Sequence, residues 1–218
     1  MTIQPIVEGH GEVAAVPVLL RRLQAECQVH NIRIGKPIRQ HRSQLCQEVT
    51  LRRAVRLALL QPDCSAVLVL FDSDDGCPKE LGPLVQGWAR DEAWDRPCAV
   101  VIAYREYEAW FLAAIESLRG KRGLLPDAAP HADPEGPRDA KGELEARLPP
   151  GRSYSETADQ AALSALFDLA AAYARCRSFR RMAAAFGFLA ARLGIALPEW
   201  PPLSWQLPPQ RPLETGTR

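Results

Sequence analysis

The apolar and polar positions alternate in blocks that change period along the chain. Thr2 to Val7 is a short, mostly apolar run with the composition of a strand. Gly9 and Gly11 interrupt it, and from Val13 to Cys27 apolar residues recur at helical spacing. Asn31 to Ile38 reads as a second strand. Gln44 to Leu60 reads as an amphipathic helix with Leu45, Val49, Ala54, Val55, Ala58 and Leu59 available to a core. Val67 to Phe71 has the β-branched and apolar composition of a strand buried on both faces. A helix over Leu81 to Glu92, a strand over Cys98 to Tyr104 and a helix over Glu106 to Leu118 follow. This alternation predicts an α/β fold, a mostly parallel sheet flanked by helices.

Beyond residue 118 the strand pattern ends. Residues 119–137, rich in Pro, Gly, Asp and Ala, read as a loop, and residues 138–197 as a helical C-terminal part. Its helices are predicted at Ala140 to Leu148, Thr157 to Ala174 and Phe179 to Leu193. Residues 198–218 form a Pro-rich tail, excluded from regular helix or central strand, which either packs as an extended arm through Trp200 and Trp205 or is partly disordered. The chain of 218 residues, 47% hydrophobic, has enough material for a sizeable core. A net charge of +1 favours no class of partner. Six scattered cysteines without a C-x-x-C pair argue against a structural zinc site and for reduced thiols. No apolar run reaches the length of a membrane span or signal peptide, so a cytoplasmic protein without membrane association is expected.

The chemistry concentrates where strands end. Asp72-Ser73-Asp74-Asp75 follows the Val67 run, and strand alternation would turn Asp72 and Asp74 to one side. Adjacent carboxylates stay ionised when a cation lies between them, and hard oxygen donors without His or Cys suit Mg²⁺ or Mn²⁺. Glu8 ends the first strand, and Glu12 lies one helical turn later. Glu106 and Glu108, in Arg105-Glu106-Tyr107-Glu108-Ala109-Trp110, follow the predicted Cys98 to Tyr104 strand, and one of the two suffices as a ligand. Carboxylates at three strand ends converge on the sheet edge where open α/β proteins bind ligands. Lys141, one of only four lysines, and Arg105 are the candidate cations for a leaving oxyanion. Two arginine groups could follow a phosphate backbone: Arg39, Arg42, Arg52, Arg53 and Arg56, and Arg175, Arg177, Arg180 and Arg181. Within them Arg52 and Arg56, and Arg177 and Arg181, share helix faces at i, i+4.

The order Val7-Glu8-Gly9, Glu12, Asp72-Ser73-Asp74 and Arg105-Glu106-Tyr107-Glu108-Ala109-Trp110-Phe111-Leu112-Ala113 resembles the Toprim-like superfamily. That superfamily includes the catalytic domains of topoisomerases, bacterial primases and overcoming-lysogenization-defect (OLD) nucleases. More narrowly the chain looks like a bacterial group of Toprim-like proteins often encoded beside ATPases. Lys141, Tyr154, Thr157, Asp159-Gln160 and Arg175 to Phe179 carry that narrower likeness. The resemblance implies that Glu8 serves acid–base chemistry or binds metal and that Asp72 and Asp74 bind Mg²⁺. It also implies that Glu12 with Glu106 or Glu108 completes a second metal site. A metal-dependent nuclease, acting with a partner ATPase in defence or repair, is the function it implies. The alternatives are a catalytically degenerate Toprim-like subunit that binds an ATPase, or another D-x-D enzyme of phosphoryl or glycosyl transfer.

Overall fold

The computed structural model describes residues 1–197 and 199–206. Its centre is a sheet of five parallel strands. In chain order the elements are β1 (Thr2–Val7), α1 (His10–Glu26), β2 (Arg33–Ile34), β3 (Ile38–Arg39), α2 (Arg42–Leu45), α3 (Glu48–Leu59), β4 (Cys64–Asp72), α4 (Pro78–Ala93) and β5 (Cys98–Ala103). The order across the sheet is β2-β1-β4-β5, with β3 also paired to β1.

This order fixes where a ligand belongs. From β1 the chain crosses outward to β2; from β3 it crosses back over β1 to β4 and then to β5. Parallel crossovers are right-handed, so reversing the direction of travel moves the connecting helix to the other face. Accordingly, α1 packs on one face and α3 and α4 on the other. The strands alternate to match: Leu68 and Leu70 face the α1 side, and Val67, Val69 and Phe71 face α3 and α4. Between β1 and β4 the outgoing segments diverge, leaving the crevice at the C-terminal edge that defines a topological switch point. Glu8 and Asp72 stand at its two sides.

Several predicted elements are broken where the local chemistry demands it. The Asn31 to Ile38 strand is two short pieces, separated by Gly35-Lys36-Pro37. The Gly35 amide still pairs with Ile3, but Pro37 has no N–H to donate. The predicted Gln44 to Leu60 helix is α2 and α3, and the Glu106 to Leu118 helix is α5 (Ala109–Ala113) and α6 (Ile115–Leu118). After α7 (Ala140–Glu145), the predicted Thr157 to Ala174 helix becomes a π-helical turn (Glu156–Gln160), α8 (Ala161–Ser164) and α9 (Leu169–Arg175). The Asp168 carboxylate starts α9 by accepting from the amides of Ala170 and Ala171 at 2.8 and 3.1 Å. The long α10 (Arg177–Arg192) follows.

The C-terminal helices have no core of their own. Phe167, Phe179, Met182 and Phe186 join Ile3, Val7, Leu19, Leu68 and Val101 in one apolar cluster on the α1 face. Trp110 is its pivot, with its ring 4.5 Å from Tyr107 and 5.2 Å from Phe179 and its indole N–H donating to Ser178 Oγ at 2.8 Å. The 119–137 segment is a loop as expected, and it is tied down: Glu135 accepts from the amides of Arg177 and Ser178, both at 2.8 Å. The first part of the tail docks through Trp200 and Trp205, but Leu203–Gln206 forms α11, a helical turn where none was expected. The expectation for residues 198 and 207–218 lies outside the described residues. All six cysteines are free.

Candidate carboxylate site at the switch point

Two strand ends hand a carboxylate to the backbone of a neighbouring segment. Glu8 Oε2 accepts from the Asp72 amide at 3.1 Å, and Asp72 Oδ1 accepts from the Tyr107 amide at 3.0 Å. The chain therefore stitches β1 to β4 and β4 to the segment after β5 with the acidic side chains themselves. Asp72 is buried, as are Glu12 and Glu108. Glu12 lies in the first turn of α1 and folds back over Gly9, where a Cβ would collide with its Oε2. Gly9 thus makes room for a side chain of the site itself.

Tyr154 donates to Glu108 Oε1 at 2.8 Å, and Gln160 Nε2 donates to Glu108 Oε1 at 3.1 Å and to Glu12 Oε1 at 3.2 Å. Glu12 Oε2, Glu108 Oε2 and Gln160 Oε1 are buried without a hydrogen-bond partner. Four carboxylates, Glu8, Glu12, Asp72 and Glu108, act on one another in a desolvated setting. Burial, and then Glu108, Glu12 and Glu8, push the Asp72 carboxyl well above the usual carboxylate range, while Lys141 works against the rise. Burial raises Glu108 to about 7, with Lys141 and Tyr154 opposing and Glu12 adding to the rise. Burial also raises Glu8, helped by Asp74 and Glu12.

These shifts set a pH dependence. Glu108 binds protons more tightly in the folded chain than at its ordinary value of 4.5. Across the window from there to about 7 the folded state holds more protons, so stability falls as pH rises. Glu8 and Asp72 act in the same direction. We expect the thermal midpoint of the metal-free chain to drop between about pH 5 and about pH 8. Excess Mg²⁺ or Mn²⁺ should restore it at the upper end. A flat or rising midpoint in scanning calorimetry contradicts the buried like-charge arrangement.

The remaining expected residues fall in different places. Asp74 lies beyond the strand: β4 ends at Asp72, and Asp74 sits in the turn at φ 47°, where its charge still adds to the rise of Glu8. Its carboxylate meets Arg42 Nε at 3.3 Å on the exposed side, because a left-handed turn residue no longer follows strand alternation. Glu106 is not in the buried cluster; its Oε2 accepts from the Lys141 amide at 2.9 Å and so caps the start of α7. Of the two glutamates after β5, Glu108 is the one that joins Asp72 and Glu12. Lys141 pairs with Glu156 at 2.6 Å. Burial disfavours the Lys141 charge, but Glu108, Glu156 and Asp72 outweigh it and hold the ammonium on. Arg105 turns to Asp75, 2.9 Å away, rather than into the cluster.

Sequence reasoning placed Arg42 among phosphate-tracking arginines, whereas it braces the aspartate turn. Its guanidinium donates to the carbonyls of Asp72 at 2.9 Å and Ser73 at 2.7 Å. Tyr154 and Gln160 stood out in the sequence only through the family likeness; their contact with the glutamates carried no local signal.

Arg52 and Arg56 do share a face, but acidic neighbours occupy it. Arg52 pairs with Glu48 at 2.8 Å and lies 3.9 Å from Asp91, and Arg56 pairs with Glu92 at 2.8 Å. Residues from α4 thus pair with part of this group, while Arg53 and Arg56 stay exposed. Arg177 and Arg181 are exposed on α10, and among the described residues no ion pair engages them. We expect Arg52→Ala and Arg56→Ala to change unfolding free energy by less than about 1 kcal/mol. They should leave nucleic-acid affinity unchanged, whereas Arg177→Ala with Arg181→Ala should weaken it and flatten its salt dependence in a fluorescence titration. The reverse pattern would return the phosphate path to α3.

In donor chemistry and charge, the cluster fits a hard dication such as Mg²⁺ or Mn²⁺: all oxygen, several carboxylates, two of their oxygens buried and unpaired. Among the described residues no three acidic, His or Cys side chains are gathered closely enough to hold a metal ion as they stand. The donors surround the crevice without closing on a point.

Fold and site together define a doubly wound α/β protein with a buried acidic site at its switch point. Residues 7–186 match the family described as Domain of unknown function (DUF4276), and the chain belongs to that family. The match runs from β1 into α10 and takes in the whole carboxylate site. No curated protein and no solved structure matches the chain. Among the described residues no helix is long and apolar enough to cross a membrane.

Proposed function

We propose that the chain is a Mg²⁺- or Mn²⁺-dependent, Toprim-like nuclease that hydrolyses phosphodiester bonds. One observation carries this reading: Asp72 at the end of β4, Glu12 in the first turn of α1 and Glu108 after β5 are buried at the switch point beside a half-buried Glu8 from the end of β1, and Glu12 and Glu108 each keep an unpaired oxygen. Buried like charges of that kind need protons or a cation to offset them. Asp72, Glu8, Glu12 and Glu108 would hold the metal, which would neutralise charge on a phosphoryl group and supply an activated water. Lys141, kept charged by its acidic neighbours, acts on both Asp72 and Glu108 and is the candidate cation for this chemistry. Arg177 and Arg181 would contact nucleic acid; a partner ATPase, a cytoplasmic setting and a role in defence or repair follow from the resemblance alone.

A second reading, a catalytically degenerate Toprim-like subunit that binds an ATPase, is favoured by the absence, among the described residues, of donors that close on a common point. The third, a D-x-D transferase, is disfavoured by the different settings of the pair, Asp72 buried and Asp74 in an exposed turn beside Arg42. The deciding experiment incubates the purified chain with single- and double-stranded DNA and RNA in Mg²⁺ or Mn²⁺, with and without a candidate partner ATPase. Metal-dependent cleavage supports the nuclease. Its absence under every condition, with ATPase binding intact, supports the subunit.

A further inference from the structure

We infer that Gln160 and Tyr154 are positioning residues that fix the directions in which Glu12 and Glu108 present their free oxygens; this rests on the metal reading above. Gln160 is wholly buried and comes from the helical C-terminal part, far in sequence from either glutamate. Its amide nitrogen has two hydrogens, and it donates to both glutamates, at 3.2 Å to Glu12 Oε1 and at 3.1 Å to Glu108 Oε1. The opposite amide orientation would set its oxygen against two carboxylate oxygens, so the chemistry fixes the assignment. Tyr154 adds a second donor to the same Glu108 oxygen at 2.8 Å. In both glutamates Oε1 is therefore occupied, and in both Oε2 is buried with no partner. A neutral amide holds two carboxylates that would otherwise repel and leaves one oxygen of each for something else.

The surrounding structure is arranged to hold that amide. The π-helical turn adds one residue per turn locally, and both Asp159 and Gln160 are buried. Asp159 is anchored by the Ser155 amide at 3.1 Å and by Arg122 at 3.5 Å and Arg152 at 3.7 Å. Lys141 secures Glu156 at the start of the turn. Gly11 faces the amide from α1, where a Cβ would collide with Gln160 Oε1. The site is thus incomplete without the C-terminal helical part, whose contribution is to orient ligands contributed by the sheet.

The test titrates Mn²⁺ alone into the full chain by calorimetry, comparing wild type with Gln160→Leu, Tyr154→Phe and Asp72→Asn, and records metal-free thermal midpoints. Partners that orient ligands typically contribute ten- to a hundredfold in metal affinity, so Gln160→Leu should weaken Mn²⁺ binding by about that factor. Tyr154→Phe, which lacks a single oxygen, should weaken it severalfold and carries the test should Gln160→Leu fail to fold. Lowered midpoints with wild-type Mn²⁺ affinity in the folded variants would mean a purely structural role and overturn the inference. Wild type that binds Mn²⁺, loses it in Asp72→Asn and keeps it in both other variants overturns the inference while leaving the metal site standing. Wild type that binds no Mn²⁺ overturns both.

Discussion

Asp72→Asn is expected to lower phosphodiester cleavage by roughly 100-fold or more while the metal-free chain folds as well as wild type. The two halves of this expectation have one cause. Asp72 is buried among Glu108, Glu12 and Glu8, and its charge is disfavoured by burial first and by these neighbours next. An amide of the same shape removes one negative charge from that group and can still accept from the Tyr107 amide. Folding loses a repulsion, whereas a metal loses a ligand. A parallel assay of initial rates and thermal midpoints reads both. Cleavage at the wild-type rate would assign the activity to another site, and a collapsed midpoint would mean that the carboxylate is structural.

Trp110→Ala is the largest expected loss of stability. Trp110 is fully buried, stacks near Tyr107 and Phe179, and donates to Ser178 at the start of α10. Truncating a buried aromatic of this kind costs about 3–5 kcal/mol, a large share of the ~5–15 kcal/mol that keeps a domain folded. The effect reaches the site, because Trp110 is two residues from Glu108 and ties that segment to the C-terminal helices. Urea unfolding should show the loss, and Trp110→Phe, which keeps most of the apolar contact, should recover part of it. A change under about 1 kcal/mol would contradict the pivotal packing given to this ring.

The parts of this site that could be read from sequence are those governed by a local rule. Asp72 and Glu8 were legible because a buried parallel strand is an uninterrupted apolar run and its end is abrupt. The choice between Glu106 and Glu108 was not, because a turn rather than a periodic element separates them and the discriminating contacts come from Lys141, Tyr154 and Gln160. Strand alternation does not reach Asp74, two residues past the end of β4, where the backbone becomes left-handed. The i, i+4 rule put Arg52 and Arg56 on one face correctly, yet it says nothing of Glu92 on another helix. The Thr157 to Ala174 pattern hid two local events, a π turn and a new cap at Asp168, and the first of these carries Gln160 into the site. Tertiary pairing across about 150 residues leaves no trace in periodicity.

The central claim, that this buried acidic cluster is a divalent-cation site, is tested most directly by anomalous diffraction from crystals of the full chain soaked in Mn²⁺. We expect one or two strong manganese peaks in the crevice between Glu8, Glu12, Asp72 and Glu108, with the glutamate side chains drawn onto the ion. Manganese bound only at surface positions, or no anomalous peak in that crevice at saturating Mn²⁺, would contradict it.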